Sequence, residues 1–143
     1  MLRQAIDENA LVAVIVLEPP PVPNEWTIYV DAVRALNRRG STAGRDVRPV
    51  VLQIMKGGLE LPTAVERRAI AELRSEIRPN AINCVATDSV PFRMMGTAID
   101  WIRKPHFASS WQSDVRSAIA FIEGELGRPC PELPRLLRSL ERS

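Results

Sequence analysis

Residues 81–126 alternate short apolar runs with amphipathic segments, and this alternation restricts the fold more than any other feature of the chain. Residues 81–87 (Ala-Ile-Asn-Cys-Val-Ala-Thr) predict a strand. Ser89, Val90 and Pro91 then open a helix whose apolar positions Phe92, Met95, Ala98, Ile99 and Ile102 recur at helical spacing. Pro105 ends that helix, residues 107–111 predict a further strand, and Ser113 starts an amphipathic run through Val115, Ala118, Ile119, Ile122 and Leu126. Strands alternating with helices of this length imply a parallel sheet, since a helical crossover returns the chain to the same end of the sheet.

The first half continues the pattern. Residues 2–6 predict a strand, with Asp7, Glu8 and Asn9 as the turn, and residues 11–17 predict a central strand that is apolar on both faces. An antiparallel pair followed by parallel units is the simplest arrangement. Pro19, Pro20, Pro21 and Pro23 stop the strand and read as a stiff extended connector; a ligand for a proline-reading domain is the other reading. Asn24 is expected to cap a helix bearing Trp26, Tyr29, Val30, Val33 and Leu36 on one face, and Arg38, Arg39 and Gly40 to end it. Residues 41–46 form a polar loop. Pro49 leads into a third strand over residues 50–55, which Gly57 and Gly58 break. Thr63 and Glu66 match a capping box, followed by a helix with Val65, Ala69, Ile70, Leu73 and Ile77 inward and Arg67, Arg68, Glu72, Glu76 and Arg78 on the wet side.

The expected fold class is therefore α/β, with a central mixed, mainly parallel sheet in the order β-β-α-β-α-β-α-β-α and helices packed on it. One domain spans residues 1–127, as suits a chain of 143 residues. Residues 128–143 form a proline-containing tail in which Leu133, Leu136, Leu137 and Leu140 make a short amphipathic helix. A stripe of about two turns does not stand alone in water, so it docks on its own sheet or serves as a partner helix.

Net charge of +2 gives no argument for nucleic acid. Cys84 lies in an apolar run and Cys130 in the tail, with no metal-ligand spacing, so the expectation is two reduced thiols and no metal or cofactor. No apolar stretch approaches the roughly 20 residues that span a bilayer, and no secretory signal precedes the first strand. The expected setting is the cytoplasm, without membrane insertion.

Ligands of open α/β sheets sit beyond the carboxyl ends of parallel strands, near helix starts. Two such ends are legible: Lys56, Gly57, Gly58 and Thr63 after one strand, and Asp88, Ser89 and Arg93 after the next. Side by side they would offer donors, hydroxyls and cations to an anion or an acidic partner segment. The plainer account is structural, with the glycines as a turn, Asp88 and Ser89 as caps and Arg93 on the surface. Lys56-Gly57-Gly58 is not a phosphate-binding P-loop, in which glycines precede a Lys-Ser/Thr pair. His106, the only histidine, has no legible nucleophile or acid beside it, and Cys84 reads as buried. Met94 and Met95 read as core filling or a pliable pocket, and Trp26, Trp101 and Trp111 as core or interface anchors.

The element order, and the second half in particular, resembles the STAS/SpoIIAA-like superfamily of anti-sigma-factor antagonists and related lipid-binding domains of the CRAL-TRIO type. The strand at residues 83–87 leads to Phe92-Arg93-Met94-Met95-Gly96-Thr97-Ala98-Ile99-Asp100-Trp101, and Phe107 precedes an alanine-rich helix with Ala118, Ala120 and Phe121. The resemblance covers roughly residues 2–126. In phospho-regulated members an Asp-Ser or Asp-Thr pair opens the helix after the third strand. Thr63 falls near that position here, but Pro62 stands where the aspartate would be. The resemblance implies a non-catalytic domain working by protein–protein contact in bacterial regulation or assembly. Separately, an exposed sheet edge or face invites pairing unless blocked, so a homodimer is a further expectation. The alternative expectation is a binder of a small anionic or lipophilic ligand between the helix starts at Thr63 and Ser89.

Overall fold

A computed structural model describes residues 1–142. A five-stranded sheet runs in the unbroken order β1 (Leu2–Asp7), β2 (Val12–Leu17), β3 (Val50–Met55), β4 (Ile82–Ala86) and β5 (Ala108–Gln112). β1 pairs antiparallel with β2, and the other three pairings are parallel, in register Val14 with Leu52, Leu52 with Cys84 and Cys84 with Ser110. The α/β class and mixed sheet are as the alternation predicts. β5 begins one residue later than expected, leaving Phe107 buried just outside it.

Alternation along each strand divides the core in two. Val12, Val14, Val16, Val50, Leu52, Ile82 and Cys84 point to one face, and Ile15, Leu17, Met55 and Val85 to the other. The second face is covered by α1 (Glu25–Ser41), α2 (Ala64–Glu72, continuing as a 3-10 turn over Leu73–Glu76) and α3 (Val90–Ile102). The first is covered by α4 (Val115–Leu126) and α5 (Glu132–Glu141).

Several local expectations are corrected. Asn24 does precede α1, but its backbone is left-handed (φ 60°) and its side chain makes no capping bond. The helix also runs past Arg38 and Arg39 to Ser41, with Gly40 buried where a Cβ would come within 3.2 Å of the Pro49 ring. The proline connector holds a cis bond at Pro19-Pro20 instead of being uniformly extended. Val65, expected inward, is 79% exposed: Ile70 and Ala71 of α2, with Leu73 and Arg74 of the following 3-10 turn, define the buried side, and Val65 lies well round the helix from them. Ile102 is also exposed, as the last residue of α3. The amphipathic run expected from Ser113 becomes helical at Val115, where Asp114 caps α4 by accepting from the Ser117 N–H at 2.7 Å.

The leucine segment docks in cis. Leu133, Leu136 and Leu140 of α5 are buried against β1 and β2, and Leu137 is half-buried beside them. Leu133, Leu136 and Leu140 are therefore part of the domain's own core rather than a free partner helix, with Leu137 at the margin of that core. Cys130, expected in the proline-containing tail, is fully buried, and its backbone N–H donates to Glu123 at 2.7 Å. Gly127, in the left-handed region at φ 70°, ends α4 and lets the chain double back for this docking.

Candidate functional site

The parallel strands β2 to β5 end on one edge, where α2 and α3 begin. Both helix starts are closed by their own side chains. Thr63 Oγ1 accepts from the Glu66 N–H at 3.2 Å while Glu66 Oε1 accepts from the Thr63 N–H at 2.9 Å, a complete capping box. Ser89 Oγ accepts from the Phe92 N–H at 3.4 Å, and Pro91 in the first turn withholds no needed donor. Arg93 folds back so that Nη1 donates to the Thr87 carbonyl at 3.0 Å. Lys56 Nζ pairs with Glu18 at 3.0 Å, and with Arg3 it holds the Glu18 carboxyl below the ordinary carboxylate range. Gly58 needs its left-handed conformation (φ 95°) to turn the chain against Pro19.

The candidates thus do not converge on one crevice. An open basin of about 600 Å³ lies at this edge, between the ends of β3 and β4 and the start of α4. Lys56, Gly57 and Asp88 line it together with Thr87, Ser113 and Asp114; Gly58, Thr63, Ser89 and Arg93 do not. Asp88 and Asp114 share the lining with a single lysine already paired with Glu18, so the basin does not have the cationic character expected of an anion site. The N–H of Ser117 holds the Asp114 carboxyl below its usual range.

Residues with redox or nucleophilic chemistry are withdrawn from solvent or isolated. Burial pushes the Cys84 thiol up to about 12 and the Cys130 thiol up to about 11, the latter also beside the Glu132 carboxylate. His106 is exposed, its Nε2 2.6 Å from the Ile77 carbonyl. Among the described residues no three His, Cys, Asp or Glu side chains are placed to hold a metal ion, and no helix is long and apolar enough to cross a membrane.

Two features escaped the sequence reading. Beneath α1 to α3, the Tyr29 hydroxyl donates to Gln53 Oε1, and Gln53 Nε2 donates to Asn83 Oδ1 at 2.9 Å. Burial raises the Tyr29 phenol above its ordinary range. Arg74, also buried, extends this polar line by pairing with Asp100 at 2.6 Å. A cavity of about 40 Å³ lies among Tyr29, Gln53, Arg74, Asn83 and Ser109, enough for a few waters and far below a ligand pocket. The signal available in the sequence is one polar residue within each of two neighbouring apolar runs, Gln53 in β3 and Asn83 in β4.

The second feature is the outer surface of α3. Phe92, Met95, Gly96 and Ile99 face the sheet, so the opposite side carries Val90 (55% exposed), Met94 (68%) and Trp101 (86%), aligned with exposed Thr97. Trp101 and Met94 therefore do not fill the core. Trp26 does: its ring meets Tyr29 edge-on at 5.4 Å, and its Nε1 donates to the Glu60 carbonyl at 3.0 Å. Trp111 is half-buried against Gly96. Comparison of the chain with protein-family models, curated proteins and solved structures returns no match.

Proposed function

We propose that this chain is a STAS-like, non-catalytic domain that acts by protein–protein contact in bacterial regulation or assembly. The observation carrying the reading is the apolar stripe of α3. A methionine and a tryptophan more than two-thirds exposed on one helix face lose free energy in water unless something covers them, and such patches mark interaction surfaces. The β-β-α-β-α-β-α-β-α order, on which the family resemblance rests, supports the same reading. The contact surface is the α3 stripe with the neighbouring start of α2, where Leu61 and Val65 are also exposed.

A photo-crosslinking amino acid at Met94, compared with one at exposed Arg68, tests this in native cells. The reading expects protein adducts, identified by mass, at position 94 and few at 68. Equal yields at both positions, or none at either, would remove it.

A second reading, a small-ligand site, is favoured by the carboxyl-edge basin and its six polar or glycine lining residues. Its lining suits a neutral or cationic polar molecule better than an anion. Thermal shift across such compounds decides it, because a ligand that binds only the folded state raises its melting temperature.

A further inference from the structure

We propose that the α3 stripe is covered by α3 of a second copy of this chain, the two helices antiparallel about a two-fold axis. This rests on the interaction reading above and names its partner. Four observations favour self-pairing. First, Val90, Met94, Thr97 and Trp101 are spaced four, three and four residues apart, a pattern that reads the same from either end. In an antiparallel pair Val90 meets the partner's Trp101, and Met94 meets the partner's Thr97. The large ring lies over the smaller valine, and the flexible thioether over the threonine, so bulk is matched along the seam.

Second, charge is self-complementary. Asp88 precedes the helix, while Arg103 and Lys104 follow it; all three are exposed and outside every ion pair of the described residues. The same two-fold axis sets Asp88 opposite the partner's Arg103 at both ends of the seam. A parallel pairing would put like charges together instead. Third, antiparallel α3 helices oppose their dipoles, N-terminus against C-terminus. Fourth, the outer face of α3 is open: α2 packs along one flank and Trp26 of α1 meets Phe92 on the sheet side, while Val90, Met94, Thr97 and Trp101 are all exposed, so a second helix can approach the stripe without displacing structure. An isologous contact of this kind closes at two copies.

The seam is narrow. One tryptophan with three smaller side chains covers less than the about 800 Å² per partner of a standard stable interface, so the pairing is a weak one. Sedimentation equilibrium on the full chain from about 10 to 500 µM tests it, a range chosen for interfaces of that low size class. The expected result is a mass that rises with concentration from 16.0 kDa toward that of two copies. Trp101→Arg should weaken association by more than about tenfold, the effect of losing a central aromatic anchor, with circular dichroism unchanged. Asp88→Arg and Arg103→Asp should each weaken it, and the double exchange D88R/R103D should restore it.

A mass that stays monomeric across the range overturns the proposal. So does dimerisation indifferent to Trp101→Arg, or a double exchange that fails to recover what the single exchanges lost. The crosslinker at Met94 separates these failures from failure of the interaction reading. Adducts only to other proteins, with the purified chain monomeric, overturn self-pairing and leave the interaction surface standing. No adducts at all remove both.

Discussion

Gly96 offers the sharpest test of the packing between α3 and the sheet. A Cβ there would lie 2.3 Å from Trp111 Cε2, 2.6 Å from Cδ2 and 2.7 Å from Cζ2. Ordinary carbon contacts begin at about 3.5 Å, so the indole must retreat by about 1 Å or α3 must lift. The indole sits on β5, and its backbone is pinned by pairing with β4, where Trp111 lies in register with Val85. Overpacking of this kind costs about 1–3 kcal/mol. Against it stands the helix preference for alanine over glycine, about 1 kcal/mol. For a clash this deep the steric cost wins, and Gly96→Ala should destabilise by about 1–2 kcal/mol. For a domain of this size that lowers the melting temperature by about 3–6 °C.

Gly124 in α4 supplies the control, because a Cβ there meets nothing within 4 Å. The same glycine-to-alanine change should stabilise by about 0.5–1 kcal/mol. Opposite signs for one chemical change in two helices leave the Trp111 contact as the cause. Replacing the ring closes the cycle: in a Trp111→Leu background, Gly96→Ala should lose most of its cost, a coupling of about 1 kcal/mol or more. Chemical denaturation of the four proteins reads this directly. A Gly96→Ala protein as stable as Gly124→Ala, or a cost unchanged without the indole, would refute the argument.

Other predictions address the tail, the thiols and acid. Leu133→Ala should cost about 2–5 kcal/mol, a core cavity rather than a tail trim, while half-buried Leu137→Ala costs distinctly less; equal, small effects in a melt would show that α5 is not part of the core. Cys84 and Cys130 should resist a water-soluble disulfide reagent near pH 8 in the folded protein and react at once in guanidinium, since burial keeps both thiols protonated; a prompt native-state reaction would contradict their burial. The carboxyls of Asp7, Glu18 and Asp114 are held low, Asp7 chiefly by the Ala10 N–H and also by Arg135, Glu18 by Lys56 and Arg3, and Asp114 by the Ser117 N–H. Their folded values lie below their unfolded ones, so their stabilisation is complete above the unfolded value of about 4 and is lost as pH falls through the lowered folded values. Melting temperatures should hold steady from pH 7 to 5 and fall below about 4, less steeply for Asp7→Asn/Glu18→Gln.

What the sequence by itself determined is what is local or strictly periodic. The short apolar runs at β2 and β3, the capping box at Thr63 and Glu66, and the proline and glycine breaks each act within a few residues, so the element order and the mixed sheet could be read without coordinates. Only the tertiary structure decided which side of each helix is wet. Val65, Met94 and Trp101 are apolar residues whose exposure depends on the rotation of α2 and α3 over the sheet, which Ile70, Phe92 and Ile99 set through contacts far away in sequence. The fate of the last helix was likewise undecided by its leucines, because an amphipathic stripe states a need for burial and not its location; β1 and β2 supplied that location. The candidate site divided in the same way. Its caps and turn were legible, whereas the basin's lining, the Tyr29–Gln53–Asn83 line and the α3 stripe arise only where separate strands and helices meet.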